Sequence, residues 1–309
     1  MAKDEIKVYG PATVSNVGPG FDLLGFAMES PGDEMIIRRN KSGNLTLFNE
    51  TNSDLPTDPE QNVASVAALS LLRELDSPAG FDIIFTQKIP PGSGVGSSAA
   101  SCVAAVMGIN ELLGSPFGTA ALIPYAMEGE KLASGGDVHA DNIAPALLGG
   151  VTLIRSYDPL DIKHIPYPAD LWCAVIHPHL EIKTSESRKL IPRMIPLETA
   201  LKQCGNLAGL VAGLSSGDYS LIGRSVTDHL AEPYRTQALP DFAALKAAAI
   251  EAGSVGTGLS GSGPSVFSLC RGEEMAASVG SVMKAHFSVR DINSRLYVSR
   301  ISQAGCKII

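Results

Sequence analysis

The segment Ile89–Ala100, I-P-P-G-S-G-V-G-S-S-A-A, constrains the fold more than any other stretch of the chain. It follows FDIIFTQKI, which alternates apolar and polar side chains like a strand, and it runs into SCVAAVMGINELL, a small-residue helix suited to close packing on a sheet. Gly92, Gly94 and Gly96 let the backbone turn tightly and bring its N–H groups towards an anion. Ser97 and Ser98 fall at the helix start, where the dipole and the free amides favour phosphate. Pro90, Pro91, Gly92, Ser93, Gly94, Val95, Gly96, Ser97, Ser98, Ala99 and Ala100 are therefore the candidate phosphate-binding loop.

Two better-known loops do not fit. A G-x-x-x-x-G-K-[ST] loop needs a lysine that is missing here, and in a dinucleotide fingerprint the third glycine would come one position later. Gly256, Gly258 and Gly261 do match G-x-G-x-x-G, but Pro264 and the strand-like SVFSLC follow where a helix is required. The plain alternative for any such run is a flexible turn.

The rest of the chain alternates short strands and helices. IKVYG and EMIIRR to LTLF read as strands with a Gly-rich turn between them, and NETNSDLPTDPEQN reads as a surface loop. VASVAALSLLREL and TAALIPYAMEGEKLA carry apolar residues at helical spacing, a third helix follows Asp141, and GGVTLIR returns as a strand. The proline-rich stretch at 156–170, with Pro159, Pro166 and Pro168, is the best boundary, giving domains 1–160 and 161–309. Beyond it the order is β-α-β-β-α-β, the helices near 185–252 counting as one insertion, which predicts a ferredoxin-like antiparallel sheet with helices on one face. The fold class is α+β.

A net charge of −8 repels nucleic acid and acidic membranes at long range, which excludes both as main partners while leaving room for a local anion site. Cys102, Cys173, Cys204, Cys270 and Cys306 are scattered without metal-ligand spacing and read as reduced thiols. With no signal-like start and no long apolar run, the expectation is a cytoplasmic protein.

P-A-T-V-S-N-V-G-P-G-F-D-L-L-G-F-A-M, P-P-G-S-G-V-G-S-S-A-A and G-T-G-L-S-G-S-G-P-S-V-F occur in this order at wide separation. Together they resemble the three motifs of the GHMP kinases, from Pro11 to about Leu269. Val95 stands where that family usually has Leu or Met. The resemblance implies a two-domain GHMP fold, with a ribosomal protein S5 domain 2-like N-terminal domain and a ferredoxin-like C-terminal one. It also implies ATP and Mg²⁺ as cofactors, phosphorylation of a hydroxyl, and a homodimer. HADNIAPALLGG, IKTSESRKLIP and AEPYRTQALP resemble the branch that acts on homoserine, a step towards threonine. Mevalonate, a sugar or another small alcohol is the alternative acceptor. A binding protein that kept the fold is the non-enzymatic alternative, disfavoured by the intact loop.

By that resemblance Arg188 and Arg235 pair the substrate carboxylate, Asp22 faces its ammonium group, and Asn16, His139 and Thr184 complete the pocket. Asn142, with Asp141 beside it, lies at the accepting hydroxyl as the catalytic pair. Ser98 and Glu130 resemble the Mg²⁺ ligands, with Glu128 and Lys131 close by, and Asn62 flanks the adenine. Gly261, Ser262 and Gly263 line the cleft opposite the central loop. Each residue has a plainer reading: S-N-V-G-P-G-F-D suits a turn, Asp141 and Asn142 suit an N-cap, and a lone arginine is usually solvated.

Overall fold

The computed structural model describes residues 4–136, 139–180 and 184–309. Two sheets lie back to back. The first begins with β1 (Glu5–Ser15) and β2 (Leu24–Asn40), antiparallel neighbours, followed by β3 (Leu45–Asn49), helix α1 (Val63–Glu74) and β4 (Gly80–Gln87). β3 and β4 run parallel, as a crossover through a helix requires, and β4 pairs with β2. Helices α2 (Ser97–Leu112), α3 (Ile123–Ser134) and α4 (Ile143–Leu148) come next, and the hairpin β5 (Val151–Tyr157)–β6 (Leu160–Ile165) returns to β2.

The second sheet is formed by β7 (Leu171–Pro178), β8 (Gly256–Leu259), β9 (Val266–Arg271) and β10 (Ser294–Arg300), in the spatial order β10-β7-β9-β8 and wholly antiparallel. Between β7 and β8 lie α5 (Thr184–Lys189), α6 (Leu197–Ser216), α7 (Tyr219–Ser225), α8 (Glu232–Arg235) and α9 (Phe242–Glu251), and α10 (Glu273–Ser288) joins β9 to β10. That is the ferredoxin-like order expected from the sequence. The chain then crosses back, and β11 (Lys307–Ile308) pairs with β1.

Burial explains the layering. Val8, Met35, Ile37, Phe81 and Ile83 face α1–α4, whose Ala64, Ala67, Val103, Ala104 and Ala144 admit close helix-to-sheet contact. On β7 the pleat sends Ala174 and Ile176 towards α9 and α10, while Cys173 and Val175 turn the other way. That second face is covered too. Leu210, Leu214 and Ile222 of α6 and α7 meet Val14, Phe26 and Met28 of the first sheet there, and Phe26 and Phe267 pack edge to face at 6.4 Å. Helices on a single face are thus corrected to helices on both, because a sheet that stacks on another unit needs cover on its inner side.

Two further differences concern the first half. The turn read between the first strands is confined to residues 16–23, because Pro11–Ser15 continues β1 past an irregularity in its pairing with β2 between Pro11 and Thr13. The hairpin partner β6 did not stand out in a polar, proline-flanked stretch, and it keeps residues 160–165 in the first sheet. The division expected at 160/161 falls inside this hairpin, and the link between sheets is Pro166–Asp170.

Candidate functional site

The glycine loop ends on Gly96, which has a left-handed φ of 66° and caps α2 without any side-chain hydrogen bond, so the first amides of a sixteen-residue helix are left for a ligand. Gly96 is also sterically obligatory. A Cβ there would lie 1.9 Å from Thr13 Oγ1 and 3.1 Å from Asn142 Oδ1. The contact places Asn142 at the helix start. Its amide is fixed at both ends: Thr13 Oγ1 donates to Asn142 Oδ1 at 2.7 Å, and Asn142 Nδ2 donates to Ser15 Oγ at 3.0 Å.

The other loop residues divide by role. Val95 is buried and its carbonyl accepts from Thr13 N–H at 3.1 Å, so the change from Leu or Met is absorbed in the core. The carbonyl of Gly94 accepts from Ser260 Oγ at 2.6 Å, and that of Ser93 accepts from Ser265 Oγ. These bonds staple the third motif onto the central loop. Ser93 Oγ is buried without a hydrogen-bond partner, Pro90 and Pro91 lead in from β4, and a Cβ on Gly92 would meet nothing. Ala99 and Ala100 are buried in α2.

Beneath the loop lies a feature the sequence reading missed. Lys88 Nζ is 2.9 Å from Asp33 Oδ2, with both side chains buried, and it donates to the carbonyl and hydroxyl oxygens of Ser97. Asp33 accepts in turn from Ile89 N–H at 2.7 Å and Ser101 Oγ at 2.6 Å. All three ammonium donors are used, so Lys88 braces the first turn of α2 rather than reaching over the loop. A lysine two residues before the prolines was the available signal, but it lies before the glycines rather than after them.

Gly129 brings α3 against α1 and α2, since a Cβ there would lie 2.2 Å from Val63 O and 2.6 Å from Cys102 Sγ. The next residue, Glu130, therefore comes close to Ser98, which favours its charged form. Burial pushes the Glu130 carboxyl up to about 7, opposed by Ser98 and Lys88, and its Oε2 is buried without a partner. An orphaned carboxylate oxygen beside a hydroxyl at a helix start suits a hard cation that takes its remaining ligands from phosphates and water. Among the described residues no cluster of three or more acidic, histidine or cysteine side chains could hold a metal. Glu128 instead pairs with Lys131 at 2.5 Å on the surface.

The charged end of the site surrounds the first motif. Asn16 and Asp22 have positive φ of 68° and 57°, a conformation that Asn and Asp tolerate best among side chains other than glycine. Asp22 N–H donates to Asn16 Oδ1 at 3.0 Å, which closes the turn. Asn16 Nδ2 and Arg235 Nη1 both donate to Gly261 O, at 2.9 and 3.0 Å, and Gly261 N–H donates to Ser15 O at 3.2 Å. Arg188 forms a two-pronged pair with Asp22, at 2.6 and 3.3 Å, and His139 Nδ1 lies 3.5 Å from the same carboxylate. Ser187 Oγ donates to Ser262 O at 3.2 Å, tying α5 to the third motif. Thr184 opens α5, and its side chain lies outside the described residues.

One chain of contacts therefore joins Arg235 to Gly261, Asn16, Ser15 and Asn142, and so to the start of α2. Asp141 is buried next to it. Burial pushes its carboxyl up to about 7, and the charges of Asp22 and Glu130 add to the effect. A narrow recess of about 10 Å³ is lined by Asn16, Gly261, Arg235, Asp228 and Glu232. Asn62 stands apart: its side chain caps α1 by accepting from Ala64 N–H at 3.0 Å and donates to Pro56 O at 2.8 Å, so it shapes the loop before α1.

Residues 62–150 match the N-terminal domain of the GHMP kinases, and residues 210–289 match the C-terminal domain of that family. A homoserine kinase of Chlorobium phaeobacteroides (strain BS1) is 42% identical, the match covering 97% of this chain and 98% of that protein. The homoserine kinase of Pyrococcus abyssi (strain GE5 / Orsay) is 36% identical, over 95% of this chain and 96% of its own. A crystal structure of homoserine kinase from Cytophaga hutchinsonii superposes with a TM-score of 0.95 at 48% identity, covering 100% of this chain and 98% of the other. Mevalonate kinase from L. major shares the fold alone, with a TM-score of 0.75 at 17% identity.

Proposed function

Because the chain belongs to the GHMP kinase family, in its homoserine kinase branch, we propose that it transfers the γ-phosphoryl group of ATP to the hydroxyl of L-homoserine, giving O-phospho-L-homoserine for threonine synthesis. The observation that carries this reading is the contact chain from Arg235 through Gly261 and Asn16 to Asn142. It ties a buried arginine to the uncapped start of α2, the arrangement needed for an amino acid whose hydroxyl must meet a phosphate.

In this reading Arg188 and Arg235 bind the carboxylate, while Asp22 with Asn16 and His139 takes the ammonium group. Thr184 belongs to the same pocket by resemblance. Asn142, held rigid between Thr13 and Ser15, orients the acceptor hydroxyl. Asp141, with its raised affinity for protons, lies next along the chain to receive the proton, although phosphoryl transfer depends mainly on positioning and charge neutralisation. The amides at the start of α2 and the Gly92–Gly96 turn hold the phosphates. Ser98 and Glu130 hold Mg²⁺, which supplies charge neutralisation on the transferred group. Asn62 acts at the adenine through the loop it shapes. The third motif, stapled to the central loop, keeps water from the phosphates.

Residues 5–165 with 307–308 form the nucleotide-binding unit in this proposal, and residues 171–300 form the second. The five thiols are all free, which suits a reducing cytoplasm, and among the described residues no helix is long and apolar enough to cross a membrane. The assembly is the homodimer the resemblance implies. The acceptor is tested by Arg235→Ala. Homoserine KM rises by about a hundredfold, as for loss of a charge-assisted pair, while ATP KM stays within about twofold. Equal loss of ATP affinity would assign the residue to the nucleotide or the fold.

A further inference from the structure

Two guanidinium groups from separate elements converge on one aromatic ring. Arg188 comes from α5 and Arg235 from α8, and their Cζ atoms lie 5.3 and 5.1 Å from the ring centroid of Phe21. Phe21 belongs to the turn between β1 and β2 and is half-buried. Arg235 is only 4% exposed, and Arg188, half-buried, is engaged by Asp22. Like charges brought this close oppose each other, and the charge of Arg188, after burial, pulls the Arg235 pKa down. The Asp22 carboxylate opposes that repulsion and weighs more on Arg235 than the charge of Arg188 does. The ring adds a further attraction, because its negative face attracts a cation without taking up any N–H donor. The ring contact itself takes up no N–H donor, while Arg188 also pairs with Asp22.

Phe21 is also well placed to fix direction. It lies immediately before Asp22 in a turn whose backbone is held by Asp22 N–H on Asn16 Oδ1 and by Tyr157 Oη on Asp22 O at 2.6 Å. The ring is therefore attached to the same rigid turn that carries the anionic partner. Arg235 Nη1 is anchored on Gly261 O, and its Nε is buried without a hydrogen-bond partner, so its plane is set by one hydrogen bond and by the ring.

We propose that Phe21 is a positioning residue for the acceptor's carboxylate, holding the guanidinium groups of Arg188 and Arg235 at the separation and tilt that let both bind it. This rests on the reading of those arginines as the carboxylate site and adds the residue that makes the pair selective for amino-acid acceptors over neutral alcohols.

Phe21→Leu keeps apolar bulk and removes the quadrupole. Loss of two cation–π contacts raises homoserine KM by about tenfold with kcat within about twofold. Phe21→Tyr keeps the ring face and restores KM to within about threefold of the parent enzyme. The specific readout is kcat/KM for homoserine divided by that for L-2-amino-1,4-butanediol, which has the ammonium group and hydroxyl but no carboxylate. The ratio falls about tenfold in Phe21→Leu and recovers in Phe21→Tyr. A ratio unchanged in Phe21→Leu, or lowered equally by both substitutions, overturns the proposal. Arg235→Ala, assayed alongside, separates the two levels. If it leaves the ratio unchanged, the carboxylate reading itself has failed; if it lowers the ratio and Phe21→Leu does not, only the role of Phe21 has.

Discussion

Asp141 offers a direct test of how the site is built, because its burial sets a measurable pH dependence of stability. Its carboxyl rises from 3.8 to about 7 on folding, first through burial and then through the nearby charges of Asp22 and Glu130. The folded chain thus binds this proton more tightly than the unfolded chain does. Stability from this group is greatest below about pH 4 and is lost as pH rises to about 7. Three pH units at about 1.4 kcal/mol each amount to about 4 kcal/mol. In Asp141→Asn the charge is gone but a buried amide gains donors that need partners, at a cost of about 2 kcal/mol. The variant is therefore more stable than the parent at pH 8, by about 2 kcal/mol, and less stable at pH 4, by about 1.5 kcal/mol. Urea denaturation followed by the fluorescence of the single tryptophan, Trp172 of β7, reads the difference at both pH values. A difference of the same sign at pH 4 and pH 8 would refute the reasoning, since it would mean that the carboxyl titrates normally.

Glu130 and Lys88 give two further outcomes. Glu130 binds a cation only when ionised, so Mg²⁺ affinity falls about tenfold per unit as pH drops below about 7, and Glu130→Gln loses at least about a hundredfold in kcat/KM; Mg²⁺ titrations at pH 6 and pH 8 check both. Lys88→Met strands the buried Asp33 carboxylate and costs about 3–5 kcal/mol, whereas adding Asp33→Asn recovers much of that loss. A urea double-mutant cycle giving additive losses would mean that the two side chains do not act as a pair.

Much of the fold was legible because its signals are local. Helical spacing and alternation marked α1, β4, α2 and α10, and the β-α-β-β-α-β order carried the second sheet. What escaped were pairings decided at long range. The polar strand β6 exists because β5 has an open edge, and α6 and α7 cover the inner face of the second sheet because the first sheet stacks there. In the site, the spacing of glycines marked the turn that opens α2, and Asn142 lies beside it. The ion pair beneath, Lys88 with Asp33, joins residues 55 apart and carries no local pattern. The same holds for Phe21. Its ring looked like a turn residue's neighbour until the fold brought Arg188 and Arg235 to it. For Asn62 the plain helix-cap reading describes its side chain.

The central claim is a choice of acceptor, and ADP release measured with a panel of small alcohols tests it most directly. With ATP and Mg²⁺ present, L-homoserine should give the highest kcat/KM by at least about a hundredfold, the margin expected when an acceptor lacking the carboxylate, the ammonium group or both leaves a charge of the site unpaired. Mevalonate, galactose and L-2-amino-1,4-butanediol should trail it. Turnover of any of these at or above the rate for homoserine would contradict the account.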